Sequence, residues 1–356
     1  MFFRQTAALP QMFLFSIALL SAIVAPACSD GGSGTGNSGA SGGMGGMGGS
    51  TSSAGLGGIG GGIGGAGGVF DPGPMVDSTD PKVYEAKFTA ADADATATAV
   101  LATQLGYLDT TVVSRGVLVV YLHGAGVPTT CGSTEHGKVL AKMGFHVMSP
   151  CYVSDYGVGN CTDDIEGCRL EAFDGVDHHP FINIGPADSI ETRVVKGLQY
   201  LQGKVPQGDW TYFLDGDKPK WSKILISGIS HGASTAAVVG LHRQVFGVVS
   251  LSGPLDSGQA WLKKTPLTPR DRFYAFTHTA DPQHPGHLNS FADMGMLGTP
   301  TSVDGAAAPY GGSHQLLTSA PTNDGHGSTQ AGSASPKDAS GSYLFLPVWQ
   351  TMYTGQ

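Results

Sequence analysis

Positive charge is scarce in this chain. Its 356 residues hold 19 Lys and Arg against 28 Asp and Glu, a formal net charge of −9, and only 13% of all residues are charged. No run of Lys and Arg is present to track phosphates, so nucleic acid is not an expected partner. Cysteine is sparse too: five residues, none in a paired C-x-x-C unit, which speaks against a zinc site. A long hydrophobic run is also missing. The most apolar stretch, Met12 to Val24, is shorter than the about 20 residues a membrane-spanning helix needs. A folded domain of roughly 250–300 residues still fits, and at that size it buries most of its unfolded surface without extra staples.

The first residues, MFFRQTAALPQMFLFSIALLSAIVAPAC, have a positive start at Arg4 and an apolar core from Met12 to Val24. Small residues, Ala25 and Ala27, surround the expected cleavage point. This predicts a signal peptide over residues 1–27 and leaves Cys28 at the new N-terminus. The arrangement resembles the lipobox of bacterial lipoproteins. That resemblance implies a diacylglyceryl group on Cys28, membrane attachment through it, and a place in the cell envelope, at the outer membrane or cell surface. It departs from the usual pattern at Ala25, where Leu is common, and at Pro26. Ordinary cleavage, giving a soluble secreted protein, is the alternative.

Glycine is abundant, with 55 residues, and most of the excess lies between Ser29 and Gly68. That tract has too few apolar groups to offset the entropy of ordering its backbone. Residues 28–75 are therefore read as a lipidated cysteine followed by a disordered tether. About 40 such residues span roughly 35 Å root-mean-square, enough to hold a domain clear of a membrane surface.

The folded domain is expected over 76–356. KVYEAKFT reads as a first strand. Gly116 to His123 reads as a buried strand ending in a glycine loop. STEHGKVLAKMG reads as a helix closed by Gly144, and FHVMSPCY as the next strand. Asp188 and Glu191 have capping-box spacing before a helix whose stripe is Ile190, Val194, Leu198 and Leu201. The strands KILISG, FGVVSLSG and RFYAFTHT follow, and GSYLFLPVWQTMYT reads as a C-terminal helix. Strands alternating with helices predict an α/β fold: a mostly parallel central sheet with helices on both faces.

Four cysteines remain beyond Cys28, and export would permit disulfides. Three pairings exist. Cys161 with Cys168 is favoured because they flank one short loop, leaving Cys131 with Cys151, each following a neighbouring strand.

Gly228-Ile229-Ser230-His231-Gly232 fits G-x-S-x-G. The motif is short, but here a strand precedes it and a helix follows, which is the context it requires. A sharp turn puts Ser230 in a strained backbone conformation with glycine needed two residues to either side. The helix start offers the His231 N–H to a developing oxyanion. An inert serine capping a helix is the plainer reading.

At these residues the chain resembles the α/β-hydrolase superfamily, from about Val112 to the C-terminus. VVYLHGAG resembles the strand and glycine loop that supplies the second oxyanion-hole N–H, which implies Gly124 or Ala125 as donor. Many lipases and esterases have His-Gly-Gly-Gly where this chain has His123-Gly124-Ala125-Gly126. The family order, serine then acid then histidine, implies Asp281 as acid and His326 as base. Asp256 and His314 are the alternatives. His284 and His287 lie too close to Asp281 in sequence for the usual arrangement.

The polar stretch from Cys151 to Ala187 holds Asp163, Asp164, Glu166, Asp174, Asp177, His178 and His179. It admits three readings: a disulfide-pinned cap over the active site, an Asp/His metal site, or a solvated excursion. The resemblance implies hydrolysis of carboxylic esters, small or polymeric, through an acyl-enzyme, with neither cofactor nor metal. A peptidase or thioesterase on the same fold, or a tethered binding protein without turnover, is the alternative. Oligomeric state is not legible.

Overall fold

The computed structural model of the protein describes residues 71–161 and 164–355. The expected signal peptide, Cys28 and its lipid, the tether up to residue 70, and Asp163 lie outside the described residues. Among the described residues, no helix is long and apolar enough to cross a membrane.

In chain order the elements begin with β1 (Val83–Thr89), α1 (Ala90–Ala93), β2 (Thr103–Asp109), β3 (Leu118–Leu122), α2 (Thr134–Lys142) and β4 (His146–Ser149). They continue with α3 (Ile165–Asp174), α4 (Ile190–Lys204), and a small hairpin of β5 (Leu214–Asp215) and β6 (Lys218–Pro219). Then come β7 (Ile224–Ile229), α5 (His231–His242), β8 (Gly247–Leu251), β9 (Phe273–His278) and α6 (His284–Asp293). The short β10 (Thr301–Ser302), β11 (Gln315–Thr318) and α7 (Leu346–Thr354) close the chain.

Nine strands form one sheet in the order β1-β2-β4-β3-β7-β8-β9-β11-β10. β1 pairs antiparallel with β2, and β2 with β4. Every pair from β4 to β10 is parallel. β3 shows why a continuous apolar run suits the sheet centre, since both faces of such a strand are covered. Leu118, Val120 and Leu122 enter a core with Val194 and Leu198 of α4 and Ala236 and Val239 of α5. Val119 and Tyr121 point the other way, into a core with Leu140 of α2 and Trp349 and Met352 of α7.

Several expectations shift by a residue or an element. The cap of α4 is Ser189, whose side chain accepts from the Thr192 N–H, and not Asp188. Asp188 is drawn away because Thr98, Ala99 and Arg193 donate to its carboxylate. β2 is legible only through its partners: Gly106 and polar Thr103 and Gln104 blur its pattern, yet it pairs along seven residues of β1. The stretch from Cys151 to Ala187 is not all loop. It contains α3, in which Cys168, Ala172 and Phe173 are buried in the core shared with α4 and α5. α3 is polar on several positions because its charges pair inside the protein, which hides it from an amphipathic reading.

Both favoured cysteine pairs are bonded: Cys131 with Cys151, and Cys161 with Cys168. The second pair has His179 beside it, but thiols joined in a disulfide do not ligate a metal.

Candidate active site

Parallel strands of an open sheet present their C-terminal ends along one edge, where ligands bind. Here β3 leads into Gly124, β7 into Ser230 and β9 into Asp281, while β11 opens the segment that reaches His326.

Ser230 stands between the end of β7 and the start of α5 at φ 57° and ψ −120°. A side chain at Gly228 or Gly232 would collide with backbone: their Cβ atoms would lie 2.5 Å from the Gly232 carbonyl carbon and 2.4 Å from the Leu122 oxygen, respectively. The turn is therefore built from main chain packed on main chain. Gly124 lies beside it, where a Cβ would sit 3.5 Å from the Ser230 Cβ.

The carbonyls of the glycine loop face inward. Tyr152 donates its hydroxyl to the His123 oxygen at 2.8 Å, and the Ser154 hydroxyl lies 3.1 Å from the oxygens of both Gly124 and Gly126. The Gly126 N–H returns to the Ser154 oxygen at 3.1 Å. In a trans peptide the N–H points opposite to the carbonyl. The N–H groups of Gly124 and Ala125 thus point away from Tyr152 and Ser154, and neither has an acceptor among the described residues. His231 is the first residue of α5, where an N–H has no partner within the helix. Its imidazole is buried, edge-on to Tyr156 at 4.7 Å between ring centroids. Burial, then the Arg169 guanidinium and His123, hold that imidazole well below its ordinary pKa, so it is neutral.

Asp281 and His326, 45 residues apart, meet: Nδ1 of His326 donates to Oδ2 of Asp281 at 2.7 Å. Oδ1 of Asp281 accepts from the Gln283 N–H at 2.9 Å. Gly325 packs on the acid's main chain, where a Cβ would stand 2.7 Å from the Asp281 nitrogen. Ser230 joins this pair through the end of β8: its N–H donates to the Leu251 oxygen at 2.9 Å, and the next residue, Ser252, reaches the His326 carbonyl at 2.7 Å. No direct hydrogen bond links Ser230 to His326, a bond that commonly tightens only once substrate is bound.

The alternatives are engaged elsewhere. Both oxygens of Asp256 are held by Arg169, at 2.8 and 2.9 Å, with the Trp261 indole as a third donor. His314 donates Nδ1 to the oxygen of Phe273 at 2.9 Å and stacks on Tyr274. Phe273 opens β9 whereas Asp281 follows its end, so His314 stands a strand length, roughly 20 Å, from the acid. His178 bonds to Asp174 at 3.1 Å, and Glu166 is taken up by His242 and Lys264. Glu171 accepts three N–H groups, from His178, His179 and Ile184. Of the acidic residues proposed as metal ligands, Glu166 and Asp174 thus serve as acceptors within the protein.

His287, set aside on sequence as too close to Asp281, stands beside that carboxylate. It lies on α6 with Nδ1 4.0 Å from Oδ2 of Asp281 and 2.8 Å from the Thr277 hydroxyl. Burial pushes its pKa down to about 4, against the pull of Asp281, leaving a neutral ring beside the acid. Its spacing from Asp281 is local, and only the helical turn after β9 brings the ring back. Tyr152, Ser154 and Arg169 carry no signal in the sequence, because each acts on a segment distant from it in the chain.

No known family profile matches the chain, and no curated protein does. Among solved structures it is similar to a thermostable esterase, at 14% identity over 69% of this chain, with a TM-score of 0.33. The chain spans 58% of that esterase's length. It is similar to esterase B from Lactobacillus rhamnosis, at 14% identity over 67% of this chain and 75% of that one, TM-score 0.36. It is also similar to the feruloyl esterase module from Clostridium thermocellum, at 12% identity over 72% and 84%, TM-score 0.35. The chain's own strand order, with a serine on the sharp turn between β7 and α5, is that of the α/β-hydrolase fold.

Proposed function

We propose that the protein is a serine hydrolase that cleaves carboxylic esters through an acyl-enzyme on Ser230. The observation that carries this reading is the 2.7 Å bond from His326 to Asp281, formed across 45 residues at the sheet edge that presents Ser230 at positive φ. A serine hydroxyl is a weak nucleophile at neutral pH and needs a base to take its proton. In the proposed reaction Nε2 of His326 takes that proton as Oγ attacks the ester carbonyl. Asp281 holds the proton on Nδ1, fixing the tautomer, and offsets the charge of the imidazolium. The oxyanion is met by the N–H of His231 and that of Gly124 or Ala125. His326 returns the proton to the leaving alcohol, then activates water to release the acid.

Labelling with a fluorophosphonate and hydrolysis of short nitrophenyl esters test this. The wild type is expected to do both, with the label on Ser230 by mass spectrometry, and Ser230→Ala neither. Label on another residue, or none on folded protein, removes the proposal and favours a binding protein. Faster turnover of thioesters or peptides than of any ester would move the activity to those alternatives.

The same proposal places the domain on a tether anchored by lipidated Cys28, supported by the small residues and apolar core before that cysteine. In the source cell, Cys28→Ala is expected to move the protein from the detergent-soluble membrane fraction to the aqueous one. An unchanged distribution would leave a protein held, or released, by other means.

A further inference from the structure

Ser252 follows β8 and bears no ionisable group, so nothing in its chemistry singles it out as a catalytic residue. Its surroundings do. It is completely buried and lies at φ 45°, a backbone region unfavourable to a residue with a Cβ. Its N–H donates to the Phe276 oxygen of β9 at 2.9 Å. The residue before it, Leu251, accepts the Ser230 N–H. The residue after it, Gly253, lies so close to the Ser230 oxygen that a Cβ would stand 3.1 Å away. The Ser252 hydroxyl lies 2.7 Å from the His326 carbonyl and 2.9 Å from the Thr329 hydroxyl. A carbonyl only accepts, so Ser252 spends its one proton there and Thr329 donates to Ser252. The main-chain carbonyl of Thr329, a different atom, accepts from the Trp349 indole at 2.8 Å and holds that residue in place.

We propose that Ser252 is a positioning residue: its hydroxyl, oriented by Thr329, fixes His326 relative to Ser230. The proposal rests on the esterase reading above. His326 sits on an irregular segment, with no strand or long helix to hold its main chain. The bond to Asp281 fixes one nitrogen of the ring but leaves the ring free to swing about that contact. A second attachment, at the residue's own carbonyl, removes that freedom. Three residues, 251 to 253, therefore touch the nucleophile's backbone, the acid's strand and the base at once. Glycine would meet the backbone requirement without strain. Serine adds only the hydroxyl, and strained residues persist where the surrounding contacts over-determine them.

The test uses Ser252→Gly, which keeps the backbone and deletes the hydroxyl, and Thr329→Val, which keeps the shape and deletes the donor. With a nitrophenyl butyrate substrate, Ser252→Gly is expected to lower kcat by about 10–100-fold with KM within about twofold, the size of effect a small misplacement of a catalytic group produces. Thr329→Val is expected to lower kcat in the same sense by a smaller factor. The downfield proton resonance of the His326–Asp281 bond, assigned by its loss in His326→Gln, should broaden or shift in both variants.

Wild-type kcat in Ser252→Gly overturns the proposal. So does a fall in kcat, KM and thermal stability together with that resonance unmoved, which would mark a structural role only. If Ser252→Gly does not fold, Thr329→Val decides by the same criteria. If the wild type itself neither hydrolyses esters nor takes the fluorophosphonate, the esterase reading fails separately. The resonance then judges Ser252 alone, and an unmoved line overturns its role.

Discussion

At the scale of single residues, the backbone around Ser230 leaves no room for substitution. A methyl at Gly232 meets two carbonyl oxygens, of Leu122 and His123, within 2.6 Å, and main chain at the sheet centre cannot yield as a flexible side chain can. Gly232→Ala is expected to lose about 2–4 kcal/mol of stability, read as a drop in the urea midpoint at constant slope. An unchanged midpoint would mean that the turn relaxes. Asp281→Asn keeps the shape of the acid but offers the wrong group to Nδ1. It is expected to cost about 10³–10⁴ in kcat while the protein stays folded. Activity within tenfold of wild type would show that another group orients His326.

At the scale of elements, two segments hold the site from behind. The strip from Tyr152 to Ser154 pins the glycine loop, and the Cys131–Cys151 bridge ties its start to that loop's exit. Ser154→Ala removes the hydroxyl proton shared by the carbonyls of Gly124 and Gly126 and leaves the Gly124 carbonyl to Nδ1 of His123, so kcat should fall by about tenfold or more at nearly constant KM, since donors that drift from the oxyanion lose their differential effect. A raised KM with constant kcat would place the strip in substrate binding instead. α3 is the second support. Arg169 grips Asp256 in a buried pair and also donates to the His231 oxygen and the Thr235 hydroxyl, in the first turns of α5. Arg169→Met leaves Asp256 buried without its partner and is expected to cost about 3–5 kcal/mol. The double variant Arg169→Met, Asp256→Leu should recover much of that loss in a urea titration; equal losses in single and double variants would refute the pairing argument.

At the scale of the whole molecule, acid acts through histidines that folding keeps neutral. His136 and His146 are buried, which pushes their pKa values down to about 3 and about 4. An unfolded histidine takes its proton near pH 6.5. Between that pH and the folded values the unfolded chain binds more protons. The stability from these neutral rings is therefore whole above pH 6.5 and drains as the pH falls, until the folded rings protonate near pH 4 and pH 3. Each contributes about 1.4 kcal/mol per pH unit inside its window. The urea midpoint should fall steadily from pH 7 to pH 4.5, and less steeply in His146→Gln. A flat profile would contradict the burial of these rings as neutral groups.

Local pattern in the sequence was enough for the sharp turn that carries Ser230 and for the alternation of strands and helices around it. Glycine spacing, apolar runs and small helix residues act over a few positions and read the same in any context. Asp281 and His326 were legible as candidates by chain order, and both disulfides by a short loop and by neighbouring strands. What chain order alone does not do is separate them from Asp256 and His314. In the fold, Arg169 of α3 occupies Asp256, and His314 sits at the opposite end of β9 from Asp281. Buried polar residues such as Ser154, Arg169, Ser252 and His287 look like ordinary surface residues in a linear chain. Their hydrogen-bond partners lie 10 to 87 positions away, and a hydrogen bond depends on distance in space, which only the folded sheet sets.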